Sequence, residues 1–215
     1  MILGIDSAEN MIYTGVISGS LNDVNSVYKK FVEIFKRKNV NPPFHWRKIS
    51  RKVKTSCKNE IVETLNSSRL IINIFKHERL AKMERKIVFY EFLPYHISLR
   101  VSPWIKELAG EMNIEVDDDY RLGESPNITK KFLRALVESM CFVLVGKQIG
   151  AREDKGTIKA TIKQKRGILN FYGNVVKSSD SKIVQIIDMI LGYYIQESCR
   201  DFNRGKLHYW NIFKK

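Results

Sequence analysis

The chain has 215 residues, enough for one large domain or two small ones with a sizeable core. Its composition, 44% hydrophobic and 28% charged, is that of a globular protein and excludes a disordered or collagen-like chain. Lys and Arg number 37 against 23 Asp and Glu, a formal net charge of +14, which points to polyanionic partners, nucleic acid first and an anionic membrane surface second. No apolar run approaches the roughly 18 residues of a membrane span, and the first residues lack a basic leader and a small-residue cleavage site. Cys57, Cys141 and Cys199 are scattered, with no CxxC pair. We therefore expect a cytoplasmic protein with no membrane partner, no disulfide framework and no zinc site.

Residues 1–5 and 12–18 are short β-rich runs joined by a polar turn, the pattern of an opening hairpin. Asp6 ends the first run. At the rim of a sheet its carboxylate would be held rigidly enough to bind a divalent cation, whereas in a turn it would only start the bend. Residues 24–38 repeat apolar groups at Val27, Phe31, Ile34 and Phe35, near helical spacing. Asn39, Pro42 and Pro43 break that helix. The compact run at residues 44–50 mixes Phe44, His45 and Trp46 with Arg47 and Lys48. Its rings either stack on bases while the cations meet phosphates, or anchor the loop to the core. Residues 51–66 predict a more polar helix carrying Arg51, Lys52, Lys54 and Lys58, and residues 67–75 a strand covered on both faces. At the end of that strand Glu78 is either a metal ligand or the surface partner of Arg79.

Residues 80–112 read mainly as helix with breaks at Pro94 and Pro103, followed by a strand over 113–120 that ends in Asp117, Asp118 and Asp119. Three consecutive acids are unexpected in so basic a chain unless a cation sits beside them. Alternation sets Ile114, Val116 and Asp118 on one face and Glu115, Asp117 and Asp119 on the other; a turn, a helix cap or a patch balancing lysines is the competing account. Residues 128–147 form an amphipathic helix, a helical insertion spanning about 127–150, whose apolar stripe serves either the core or a partner. A polar loop over 148–156 precedes the basic segment 159–166, with Lys163, Lys165 and Arg166, and then Phe171 and Tyr172. Basic groups followed by aromatics suit a groove tracking a nucleic acid backbone, and lysines guarding a strand edge give the same pattern. Residues 181–200 are a largely apolar helix containing Asp188, with Val184, Gln185, Leu191 and Gly192 at its helical neighbour positions. A buried carboxylate without a local cation needs a partner from elsewhere, a basic residue, hydrogen bonds or a metal shared with another acid. The basic tail, 204–215, is expected to pack back on the sheet.

Three of these stretches, taken together, resemble the RNase H-like superfamily: a hairpin opening on Asp6, strands and helices after it, and a late helix carrying Asp188. More narrowly, the chain is similar to a family of small bacterial and archaeal RNase H-like proteins known as a domain of unknown function. Its members open on a strand running into Asp-Glu-Ser-Gly, carry a His-Phe-Lys-like motif, and end on a helix reading roughly Leu-Gln-Leu-Ala-Asp-Leu-Ile-Ala-Gly. The corresponding stretches are Ile5-Asp6-Ser7-Ala8-Glu9, residues 44–48 and residues 183–192, where Gln185, Asp188 and Gly192 keep the spacing. Ser7 stands where the family has an acid, so that Glu9 would have to substitute from a shifted place. The opening Ile-Leu-Gly-Ile-Asp is also similar to the start of Holliday junction resolvases.

The resemblance implies an α/β fold, a single RNase H-like domain over residues 1–215 with a mixed sheet of about five strands flanked by helices. It implies Asp6, Asp188 and one acid of the Asp117-Asp118-Asp119 triplet, taken as Asp118, as catalytic residues and, with Glu9 and Asp119, as ligands of Mg²⁺ or Mn²⁺, the choice among the three acids staying open. Two such ions would activate a water and stabilise the leaving oxygen in phosphodiester cleavage. The basic segments 47–54 and 159–166, with Arg47, Lys48, Arg51, Lys163, Lys165 and Arg166, would hold the phosphates of DNA or RNA. The expectation is a metal-dependent nuclease. The alternatives are an inactive RNase H-like module that binds nucleic acid or protein, and a resolvase- or transposase-like enzyme working as a homodimer through helix 128–147.

Overall fold

The computed structural model describes residues 1–8, 12–76, 92–118, 126–197, 202–203 and 205–212. Strands β1 (Ile2–Ala8) and β2 (Tyr13–Gly19) form the antiparallel hairpin that the opening runs predict. Helix α1 (Leu21–Lys36) starts where Ser20 accepts the Asp23 N–H, and α2 (Arg51–Ser67) starts where Ser50 accepts the Val53 N–H, the usual way of satisfying first-turn donors. Strand β3 (Ile71–Lys76) pairs antiparallel with β2. Helix α3 (Leu93–Ile105), strand β4 (Gly110–Asp117) and helix α4 (Pro126–Val145) follow. The meander β5 (Arg152–Asp154), β6 (Thr157–Gln164) and β7 (Gly167–Val176) comes next, then helix α5 (Lys182–Glu197) and strand β8 (Leu207–Asn211).

The sheet is mixed and has eight strands, in the order β5-β6-β7-β4-β1-β2-β3-β8, not the five or so expected. The excess comes from two places. Residues 152–176, read as a polar loop and a basic segment, are strands. Ile158, Ala160 and Ile162 turn to the core while Lys159, Thr161 and Lys163 alternate away, a period of two hidden beneath the lysines. The basic tail does pack back on the sheet, but as β8, parallel to β3. The helix predicted up to residue 112 ends at Ile105 instead. Gly110, at φ +102°, opens β4 in a left-handed conformation that favours glycine, and strand geometry takes over from there.

Helices cover both faces. Helices α1, α2 and α5 bury Val27, Phe31, Phe35, Ile61 and Ile187 with Ile2 and Ile17 on one face. Helices α3 and α4 bury Ile97, Val101, Phe132, Leu133 and Met140 with Leu3, Ile5 and Val16 on the other. Helix α4 forms a layer packed against α3, β6 and β7.

Two glycines set the seat of α5. A Cβ on Gly4 would lie 2.6 Å from Cγ1 of Ile183, and one on Gly15 2.7 Å from Cδ1 of Ile187. Only bare backbone on β1 and β2 lets the helix lie this close to the hairpin, and that approach brings Asp188 to the rim of the sheet.

Candidate functional site

Strand alternation builds the site. On β1, Gly4 faces α5, so Asp6, two residues on, faces the same way. Strand β4 runs parallel beside β1, with Gly4 opposite Glu115 and Ile5 opposite Val116, which brings Asp117 level with Asp6. Both are buried, at 5% and 7% exposure. Asp188 reaches the same place from α5. The Asp6 carboxyl feels the charges of Asp188 and Asp117 and shares a side-chain hydrogen bond with Asp117. Asp6 and Asp117 thus stand side by side at the end of the sheet, with Asp188 of α5 near enough for its charge to act on Asp6.

Burial, then the charge of Asp188, then that of Asp117, push the Asp6 carboxyl well above the usual aspartate range. The Ser7 N–H, 2.6 Å from Asp6 Oδ1, pulls the other way. Burial also raises Asp188, but less freely, because the Trp46 N–H and the charges of His45, Arg47 and Lys54 all favour its ionised form. The consequence for stability has a definite sign. Between the unfolded aspartate value, about 3.9, and the raised folded value of Asp6, the folded chain holds a proton that the unfolded chain has released. The contribution of Asp6 to stability is therefore present at acid pH and lost as pH rises through its folded value. We expect the urea midpoint of the metal-free protein to fall as pH rises across that window. The slope is expected to flatten in Asp6→Asn; an unchanged slope in that variant would remove Asp6 as its source.

The aromatic and basic run at residues 44–50 is locked onto α5. The Phe44 N–H donates to Gln185 Oε1 at 2.8 Å, an oxygen that also accepts the Tyr28 hydroxyl at 3.0 Å. The Trp46 N–H donates to Asp188 Oδ2 at 2.8 Å. Phe44 and Trp46 are buried anchors of the core, so base stacking is not their role. Trp46 fits because residue 192 is glycine: a Cβ there would lie 2.1 Å from the indole Cγ. The three positions that carry the family resemblance in α5, Gln185, Asp188 and Gly192, therefore each hold one part of the 44–48 segment.

No family model, curated protein or solved structure matches the chain.

The residues expected from sequence separate clearly. Asp6 and Asp188 come together. Asp118 does not join them: it lies exposed past the end of β4, its N–H bonded to the Val176 carbonyl at 2.7 Å, and Asp117 takes the place beside Asp6. The physical reason is parity. Asp118 shares the face of Ile114 and Val116, which points away from α5. Asp119 and Glu9 lie outside the described residues, as do Glu78 and Arg79. Arg47, Lys48 and Arg51 are exposed beside the site, and Arg47 is close enough for its charge to act on Asp188.

Lys163, Lys165 and Arg166 are elsewhere. Asp117 pairs with Val176 at one end of β7 while Gly167 closes the β6–β7 hairpin at the other. At roughly 3.3 Å per residue this separates the basic hairpin from the acids by roughly 30 Å. Arg166 there pairs with Glu107 at 2.8 Å, and Phe171 is a core residue. From the sequence, Asp117 was one of three candidate acids, Lys54 one member of a basic segment, and His45 not a site residue at all. For Asp117 the missing signal was the strand register, which sets its alternation partner Glu115 opposite Gly4.

The donor set suits a hard divalent cation, which takes carboxylate oxygens and water. Among the described residues no three His, Cys, Asp or Glu side chains form a ready-made ligand group. A bound cation would remove the repulsion among these carboxylates. Asp6, buried against two other acids, is the residue such a cation would relieve most.

Proposed function

We propose that the protein is a metal-dependent nuclease that hydrolyses phosphodiester bonds of DNA or RNA, with Asp6, Asp117 and Asp188 as the carboxylates that hold Mg²⁺ or Mn²⁺. The observation that carries this reading is the convergence of three acids, from two parallel strands and one helix, on one sheet face of a chain with net charge +14. It is the kind of arrangement that the RNase H-like resemblance implies, with Asp117 in place of Asp118. When bound, the metal would supply an activated water and charge stabilisation at the leaving oxygen. The chain's own part is to fix the carboxylates. Ser7 N–H orients Asp6, Trp46 N–H orients Asp188, and β4 sets Asp117 level with Asp6. Arg47, Lys48 and Arg51 form a positive approach for phosphates on the open side.

One observation favours a second reading, a binding module without chemistry. His45, Arg47 and Lys54 already offset the charge of Asp188. Cleavage of labelled single-stranded, duplex and four-way DNA and of RNA, in Mn²⁺ and in EDTA, separates the two. We expect cleavage of at least one substrate in Mn²⁺ and none in EDTA. Binding without cleavage in either condition would leave the module.

A further inference from the structure

Lys54 is a lysine in an unusual place. It lies on α2, yet its side chain is turned inward and the residue is only 8% exposed. Its ammonium sits 4.1 Å from the centroid of the Trp46 ring, the same Trp46 whose N–H holds Asp188. Its own carbonyl accepts the Tyr193 hydroxyl at 2.8 Å, and Tyr193 packs edge-on against Trp46 at 4.3 Å. The backbone of Lys54 and the ring beneath its charge are thus both fixed from α5.

Among the described residues the ammonium has no carboxylate within ion-pair distance. It feels Asp188 as a charge, without a direct contact. A lysine taken this far out of water is costly unless an anion completes its surroundings, and the indole face supplies only part of that. Arg47 and His45 bring positive charge to the same side of Asp188. An anion between Lys54 and the carboxylates would meet a preformed cation on one side and, on the other, acids that a divalent ion neutralises.

We infer that Lys54 is a phosphate-binding residue of this site, its ammonium held over Trp46 to take an oxygen of the nucleic acid backbone at the acids. The class of ligand rests on the nuclease reading; the buried cation, without a carboxylate partner among the described residues, does not. The charge is placed by the packing of Trp46, Tyr193 and Gly192, so a fixed position for the bound phosphate is built into the core, unlike the exposed Arg47 and Lys48.

The test compares the wild type with Lys54→Met, which keeps the apolar stem, and Lys54→Arg, which keeps the charge. Binding of a labelled oligonucleotide is measured in Ca²⁺ across a salt series, beside cleavage in Mn²⁺. One lost phosphate contact is expected to lower the slope of log affinity against log salt by about 0.7–0.9 in Lys54→Met. Lys54→Arg is expected to recover it. That result stands even if the wild type cleaves nothing, in which case the nuclease reading falls and the anion contact remains. An unchanged slope in a folded Lys54→Met overturns the inference, whether or not the wild type cleaves. Should Lys54→Met not fold, acetylation mapping on the wild type decides: the oligonucleotide is expected to shield Lys54 from acetylation, and no shielding refutes the contact.

Discussion

Asp188→Asn is expected to lower divalent-dependent cleavage by ~100-fold or more while making the metal-free protein more stable. The two effects have one cause. Asparagine keeps the shape of aspartate and an oxygen that can accept the Trp46 N–H, so the 44–48 segment stays in place. It removes a negative charge that presses on Asp6 and a carboxylate whose burial is unfavourable. Relief of that repulsion lowers the Asp6 carboxyl toward its ordinary range and stabilises the folded state at neutral pH. The same loss deprives a divalent cation of a ligand, and the charge stabilisation it provides is worth several kcal/mol in the transition state, where each 1.36 kcal/mol is tenfold in rate. Thermal melts in EDTA and in Mn²⁺ check both halves. Mn²⁺ is expected to raise the wild-type melting temperature more than that of the variant, because only the wild type offers all three carboxylates. A variant that loses activity and also melts lower in EDTA would mark Asp188 as a structural residue.

Much of this site was legible in the chain. Asp6 could be placed on the first strand because an apolar run precedes it, although β1 continues two residues past it to Ala8, and Asp188 stood out because its helix gives it no local cation. The choice among Asp117, Asp118 and Asp119 turned on parity, which is readable only when the neighbouring strand's inward face is known. Gly4 reveals that face, since a Cβ there would strike Ile183 of a helix 179 positions away in the chain. The basic segment 159–166 misled for the opposite reason. Its lysines are one side of an ordinary alternating strand, and charge says nothing about which end of a sheet a strand reaches. Lys54 was legible only as the last member of the basic segment 47–54. In sequence it is one of several lysines on a polar helix, and only the packing of Trp46 beneath it turns it inward.

Gly192→Ala is the second substitution with a large expected effect, and its sign is opposite to the usual one. A mid-helix glycine replaced by alanine gains about 1 kcal/mol in helix propensity. Here the new methyl would lie 2.1, 2.2 and 2.4 Å from Cγ, Cδ2 and Cδ1 of Trp46. These are the atoms at the base of the indole, not the tip of a flexible chain, and the ring has little room to retreat. Tyr193 packs against it at 4.3 Å, Lys54 lies over it at 4.1 Å, and its own backbone N–H is tied to Asp188. Overpacking of this kind costs typically 1–3 kcal/mol and more when the neighbour cannot move, so the propensity gain is outweighed. We expect a net loss of ~2 kcal/mol and a melting temperature lower by roughly 4–8 °C, given the usual 2–4 °C per kcal/mol for a chain of this size. Pressure on the indole is also passed to the Trp46 backbone, whose N–H orients Asp188. Residues that orient a metal ligand commonly matter 10–100-fold for metal affinity or activity, so Mn²⁺-dependent cleavage is expected to fall by about that factor. Gly4→Ala makes the informative comparison. Its Cβ would press on Cγ1 and Cγ2 of Ile183, a branched core side chain, and not on the segment that holds Asp188. It is expected to destabilise the fold without the same loss per kcal/mol in cleavage. Equal losses in the two variants would mean that the site depends on the overall stability of α5, and not on the lock between Gly192 and Trp46.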